Sequence, residues 1–179
     1  LIQQTVERLA PVTPPERIWI LTSRELAGEV RRQLPQIPAA QILAEPAPRN
    51  TAPAIGLAAH ILAGIDPRAV MGVFPADHFI ARSEGFRKLV RAAYRSAAAG
   101  RVTLLGIAPR WPETGYGYLE FPAGGFKPGS TETVELKGFR EKPDLAAARR
   151  PGRPAMGVRD ARRDAAAARE GAACARATG

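Results

Sequence analysis

Glu45-Pro46-Ala47-Pro48-Arg49-Asn50-Thr51-Ala52-Pro53 is a polar elbow between a short apolar run, Gln41-Ile42-Leu43-Ala44, and an alanine-rich segment with helical spacing. Two prolines and an Asn-Thr pair are poor helix interior, so the elbow reads as a fixed loop, with Thr51, or Asn50 before it, capping a helix that runs to about Gly64. A helix start offers unpaired backbone N–H groups and a partial positive charge, to which Arg49 adds its own, and this suits an anion or a nucleotide. The plainer alternative is a capped helix start with a solvated arginine.

Outward from the elbow, strands and helices alternate. Toward the N-terminus lies a continuous apolar run, Ile18-Trp19-Ile20-Leu21, the mark of a strand covered on both faces. Ser23 is placed to cap the helix after it, with Leu26, Val30 and Leu34 inward and Pro35 as the stop. Before that run, Leu1, Ile2, Thr5, Val6 and Leu9 follow helical spacing, and Pro11 to Pro15 end the helix. Toward the C-terminus, Ala54, Ile55, Ala58, Ile61 and Leu62 make a core-facing stripe, and Ala69 to Phe74 is a second continuous apolar run. A helix from Ser83 to Ala99 with Phe86, Leu89, Val90 and Tyr94 inward precedes a third run, Val102 to Ile107. The pattern predicts an α/β fold: a Rossmann-like mixed, mostly parallel sheet with helices on both faces.

After Pro109 the character changes. Tyr118 to Phe121 and Thr133 to Phe139 read as an antiparallel pair around a turn-rich tip at Gly124 to Gly129, a flap beside the main sheet. It delivers Arg140-Glu141-Lys142-Pro143, after which Asp144 caps a short alanine helix.

The apolar content of 45% and charged content of 24% over 179 residues fit a globular domain with a real core. No run approaches the roughly 20 apolar residues that cross a bilayer, and no basic-then-apolar leader opens the chain, so no membrane partner and a cytoplasmic location are expected. A lone cysteine, Cys174, cannot form an internal disulfide, which fits a reducing compartment. The net charge of +9 would suggest nucleic acid, but residues 149–179 hold eight arginines against three acidic residues. That leaves +4 for the first 148 residues, with no basic stripe, and nucleic acid is not expected as a partner.

In open α/β sheets ligands bind beyond the carboxyl ends of the strands, where Glu45 to Thr51 and Pro75-Ala76-Asp77-His78 both fall. Asp77 is placed to hold Mg2+ against substrate phosphates; the alternative is a turn or helix cap. His78 has no serine or cysteine partner and receives no chemical step. The glycines of Thr114-Gly115-Tyr116-Gly117-Tyr118 would let backbone amides approach a ligand, or simply bend a strand start. Glu141-Lys142 is either a solvated ion pair or a carboxylate for sugar hydroxyls beside a lysine for a phosphate.

Taken together, Glu45-Pro46-x-x-Arg49-Asn50-Thr51-Ala52-Pro53-Ala54-Ile55, Pro75-Ala76-Asp77-His78, Pro112-Glu113-Thr114-Gly115-Tyr116-Gly117-Tyr118 and Phe139-x-Glu141-Lys142-Pro143-Asp144 resemble bacterial mannose-1-phosphate guanylyltransferases, or GDP-mannose pyrophosphorylases, in order and spacing. The resemblance covers Leu1 to Ala148 and implies a nucleotidyltransferase of the nucleotide-diphospho-sugar type. Mannose 1-phosphate would attack GTP, with Mg2+, to give GDP-mannose and pyrophosphate. It implies that Asp77 binds metal, that Glu45, Arg49, Asn50 and Thr51 surround the guanosine, and that Pro75 and Ala76 line the nucleotide. Gly117 would lie against the sugar, Glu141 would bind its hydroxyls and Lys142 its phosphate, which makes Asp77 and Lys142 the catalytic pair. A homo-oligomer is open.

The chain also departs from the family. The glycine-rich Gly-Gly-x-Gly-x-Arg-Leu loop with its Pro-Lys pair, the Trp-Asn-Ser-Gly-Met-Phe segment and a second metal-binding aspartate do not occur, and Pro48 replaces the usual glycine. The expectation is an internal fragment of impaired activity, truncated at both ends, with exposed apolar sheet edges and a tendency to associate. A non-catalytic nucleotide-sugar-binding remnant and a transferase for another base or sugar are the alternatives. Residues 149–179, rich in Arg, Ala and Gly, read as a tail with too little apolar surface to pack, with disorder or frayed helix over Asp160 to Ala175. The abrupt change suggests a shifted reading frame, against a genuine basic tail that binds polyanions.

Overall fold

A computed structural model describes residues 1–47, 49, 51–109, 111–122, 124, 125, 127 and 129–148, and the backbone of 155–156 and 172–177. The chain divides into two compact units, Leu1–Ala76 and Asp77–Gly179. Among the described residues no helix is long and apolar enough to cross a membrane.

The first unit is built on a strand-helix-strand crossover. Helix α1 (Ile2–Leu9) buries Thr5, Val6 and Leu9 as its spacing predicts, together with Arg8, whose guanidinium burial pulls below its ordinary value. Strand β1 (Ile20–Ser23) pairs in parallel with β2 (Ile42–Glu45), from Ile20 opposite Ile42 to Ser23 opposite Glu45. Between them, α2 (Ala27–Gln33) turns Ala27 and Val30 inward, and Leu34 follows, fully buried; Leu26, expected inward, precedes the first turn and is exposed. Ser23 does not cap α2 as expected: it closes β1, and its hydroxyl bonds Glu25, holding that carboxyl below the usual range. Gln41 ties the preceding loop by donating Nε2–H to the Glu16 carbonyl at 2.7 Å.

Helix α3 (Thr51–Ile65) follows the elbow. Its non-exposed positions are Ala54, Ile55, Ala58, Ile61 and Leu62, the predicted stripe. The run Ala69 to Phe74, expected as a buried strand, is not one, and Val73 is 52% exposed. Apolarity supplies a reason to be covered, but a strand also needs a neighbour to accept its ladder, and no described strand pairs with these residues.

In the second unit α4 (Ser83–Ala98) buries Leu89, Val90 and Ala92 and packs on β3 (Val102–Ile107). The remaining strands are β4 (Gly117–Glu120), β5 (Val134–Glu135), β6 (Gly138–Glu141), β7 (Ala155–Met156) and β8 (Ala172–Ala177), with α5 (Leu145–Ala148) after β6. The sheet order is β5-β8-β3-β7-β4-β6. Parallel pairing, expected to dominate, is confined here to β5 with β8; the other ladders are antiparallel. The strand pair expected as a separate flap is instead built into this sheet, and the returning segment Thr133 to Phe139 is divided: β6 pairs with β4 at one end, while β5 pairs with β8 at the other. In place of the disorder or frayed helix expected as far as Ala175, Ala172–Ala177 form β8 against the whole of β3, a contact that main-chain hydrogen bonds can make without large side chains. Val102 at the start of β3 is 68% exposed, so that strand is not covered throughout.

Successive residues of β4 serve opposite faces. Leu119 and Phe121 pack with Leu104, Val134 and Leu136, while Tyr118 packs with Ala148 and Tyr116. Asp144 caps α5 as predicted, its Oδ1 accepting the Ala147 amide at 2.7 Å.

Candidate functional site

The expected site residues divide between the two units. The first holds Glu45, Arg49, Thr51, Pro75 and Ala76; Asn50 and Pro48 lie outside the described residues. Glu45 is the last residue of β2 and half-buried, Pro46 and Ala47 bend the chain, and Arg49 and Thr51 are exposed where α3 begins. Both therefore present polar groups to solvent at the start of a four-turn helix, where an anion is favoured. Ala76 is exposed, and its carbonyl accepts a long hydrogen bond, 3.4 Å, from the Thr5 hydroxyl.

The second unit holds Asp77, Gly117, Glu141 and Lys142. Asp77 sits in the turn it shares with Ala76 and is exposed. The other three are brought together by antiparallel register: Gly117 stands directly opposite Glu141, and Lys142 donates its backbone N–H to the Tyr116 carbonyl at 3.1 Å. Sites far apart in sequence thus become neighbours through one ladder. Gly117 is buried because the Phe139 ring and the Glu141 carboxylate lean over its Cα. A Cβ there would lie 2.5 and 2.7 Å from ring atoms Cζ and Cε2 and 2.9 Å from Glu141 Oε2. Lys142 is turned into the left-handed region at φ 41°, where a residue with a Cβ carries strain of about 1–3 kcal/mol. Such a backbone persists only where its surroundings hold it, here the bond to Tyr116 and the buried Pro143 that follows.

Two groups that sequence reasoning left unassigned hold the loop before Gly117. The buried Tyr118 hydroxyl accepts the Glu113 amide and donates to the Glu113 carbonyl, both at 2.9 Å. The Glu113 side chain in turn accepts the Gly115 amide at 3.0 Å through Oε1. No spacing rule signals a tyrosine that clasps a backbone five residues earlier. Tyr118→Phe leaves both Glu113 backbone groups without that partner, a loss of about 1–3 kcal/mol. A fall in Tm of roughly 2–12 °C is expected by calorimetry for a chain of this size. An unchanged Tm would show that water replaces the hydroxyl.

For a metal, the described residues contain no group of three or more His, Cys, Asp or Glu side chains. Mg2+ is commonly held by one or two carboxylates with substrate phosphates and water completing its shell, so the single exposed carboxylate of Asp77 fits that cation.

The sequence profile of the family described as nucleotidyl transferase matches residues 1–167. The chain belongs to the nucleotidyl transferase family. Among the relatives of this nucleotidyl transferase chain is mannose-1-phosphate guanylyltransferase ManC of Salmonella typhimurium, 42% identical over 156 residues, covering 83% of this chain and 32% of that protein. Mannose-1-phosphate guanylyltransferase of Escherichia coli K12 is 40% identical, with 83% of this chain and 32% of that protein covered. The chain thus spans about a third of the length of the curated relatives it matches. Among solved structures, one described as mannose-1-phosphate geranyltransferase from Thermus thermophilus superposes with a TM-score of 0.69 at 30% identity, over 86% of this chain and 44% of that one. A mannose-6-phosphate isomerase from Helicobacter pylori, 22% identical with a TM-score of 0.66, shares the fold. These neighbours establish the Rossmann-like α/β class for the nucleotidyl transferase chain. The family match also runs past Ala148, where the motif resemblance stops.

Proposed function

We propose that the chain carries part of a nucleotidyltransferase that makes GDP-mannose and pyrophosphate from GTP and mannose 1-phosphate. The reading rests on the 42% and 40% identity, over 83% of the chain, to proteins named mannose-1-phosphate guanylyltransferase. The antiparallel register that groups Gly117, Glu141 and Lys142 is consistent with it.

In this reading a phosphate oxygen of mannose 1-phosphate forms a bond to the α-phosphorus of GTP. The bond from that phosphorus to the bridging oxygen breaks, and pyrophosphate leaves with the electron pair. No covalent intermediate on the protein is needed, so the residues act by positioning and by neutralising charge. Lys142 holds the sugar phosphate with a charge-assisted contact, and Glu141 accepts hydrogen bonds from sugar hydroxyls. Gly117 lies against the sugar subsite, where its lack of a side chain lets the Glu141 carboxylate come close. Glu45, Arg49, Asn50 and Thr51 surround the guanosine, and Pro75 and Ala76 line the nucleotide. Asp77 holds Mg2+, which when bound supplies compensation for phosphate charge. A cytoplasmic location follows from substrates of this kind.

A coupled assay for pyrophosphate release from GTP and mannose 1-phosphate tests the reading; GDP-mannose formation is expected. GDP-mannose binding without turnover would instead identify a nucleotide-sugar-binding protein, and turnover with another sugar phosphate or nucleotide would reassign the specificity.

The division into a nucleotidyltransferase domain, 1–148, and an Arg/Ala/Gly-rich tail, 149–179, is likewise our proposal. Truncation after Ala148 tests the division, because it also removes β7 and β8 from the sheet: an unchanged Tm with unchanged ligand binding would support it. A lowered Tm would mean that the ladder of β8 on β3 belongs to the domain.

A further inference from the structure

We propose that Phe139 is a specificity-determining residue of the sugar-phosphate subsite: its ring takes the C–H face of the hexose while Glu141 takes the hydroxyls. This rests on the reading of Glu141 and Lys142 given above.

Four observations carry it. Phe139 is 50% exposed, although burying a phenylalanine side chain stabilises a fold by roughly 1.5–3 kcal/mol, so its position forgoes part of that gain. Phe139 and Glu141 are two residues apart in β6, which puts both on one face of the strand. Gly117 faces Glu141 and Leu119 faces Phe139; because Gly117 has no side chain, the ring and the carboxylate both lean over its Cα, so an aromatic surface and an anionic acceptor stand side by side. β6 is the end strand of its sheet among the described residues, and Lys142 directly follows it with its backbone tied to Tyr116.

That combination matches the chemistry of a sugar phosphate. A hexose has hydroxyls at its rim and polarised C–H groups across its faces. The negative face of an aromatic ring attracts such groups, a carboxylate accepts hydrogen bonds from hydroxyls, and a lysine takes the phosphate. The ring would contribute to recognition of the sugar and nothing to recognition of a bare phosphate.

The test is calorimetric titration of mannose 1-phosphate, and separately of inorganic phosphate, into the 179-residue chain and its variants. Phe139→Leu keeps apolar bulk and removes the ring; it is expected to weaken mannose 1-phosphate binding about three- to tenfold and leave phosphate binding unchanged. Phe139→Trp keeps a ring and is expected to bind within about twofold of the parent. Gly117→Ala keeps Phe139 but pushes the ring and carboxylate away, and is expected to lose mannose 1-phosphate affinity selectively. It gives a second reading should Phe139→Leu fail to fold. Parent-like mannose 1-phosphate binding in Phe139→Leu, or equal loss of both ligands, overturns the proposal. If Glu141→Gln weakens mannose 1-phosphate binding while Phe139→Leu does not, the sugar site stands and only the ring's role falls. A parent chain that binds no mannose 1-phosphate overturns both readings.

Discussion

Asp77→Asn is expected to lower Mg2+-dependent nucleotidyl transfer by about 100-fold or more, while Tm stays within about 1 °C. The magnitude follows from what a bound divalent ion supplies to a phosphoryl centre, several kcal/mol, at about 1.4 kcal/mol per tenfold in rate. A carboxamide is a poor replacement because the hard cation is drawn to the anionic oxygen pair. The small effect on stability follows from exposure: Asp77 is a surface turn residue, and substitutions there cost about 0.5 kcal/mol or less. A readout independent of turnover is the broadening of GTP resonances by Mn2+, which should weaken with the variant. A variant that keeps metal dependence but melts several degrees lower would make Asp77 a turn cap.

The second large effect concerns Lys142, where one residue combines backbone strain with a charge. Lys142→Ala and Lys142→Gly both remove the ammonium, and each is expected to weaken mannose 1-phosphate binding by about 10- to 100-fold, the equivalent of a charge-assisted hydrogen bond of roughly 1.5–3 kcal/mol. The two should differ in stability. At φ 41° alanine keeps the strain of a Cβ in the left-handed region and glycine releases it, so the glycine variant is expected to be more stable than the alanine variant by about 1 kcal/mol. Urea titration with a common slope measures that difference. Equal stability would mean that the turn relaxes without the lysine, and parent-like sugar-phosphate affinity in both would remove Lys142 from the subsite.

Local patterns in the sequence located the helices and most of their inward faces, although Leu26, expected inward, stands just before α2 and is 57% exposed. The five inward positions of α3 are those that the 3.6-residue period selects, and Leu89 and Val90 of α4 are buried as predicted. This is because a helix carries its own hydrogen bonds, and its buried face is set by spacing within one segment. The motifs were equally local, and they led to the family that the comparisons establish. Ser23 was misread for a related reason: a good capping residue is common both before a helix and at the end of a strand, and only the position at which β1 ends separates the two.

Strands were less tractable because their partners come from elsewhere in the chain. Ala69 to Phe74 has a strand's composition but no described neighbour, and Ala172–Ala177 has little apolar bulk yet pairs along all of β3. Register is the sharper case. A slip of one residue between β4 and β6 would turn every side chain to the other face. Nothing in either segment alone states that Gly117 stands opposite Glu141, that Phe139 leans over it, or that Tyr118 reaches back to Glu113. By itself, then, the sequence determined most of the helical faces, the motif loops and the family. The grouping of Gly117, Phe139, Glu141 and Lys142 at one end of a sheet was decided by tertiary structure, because ladder hydrogen bonds between distant segments, and not local periodicity, choose which residues meet.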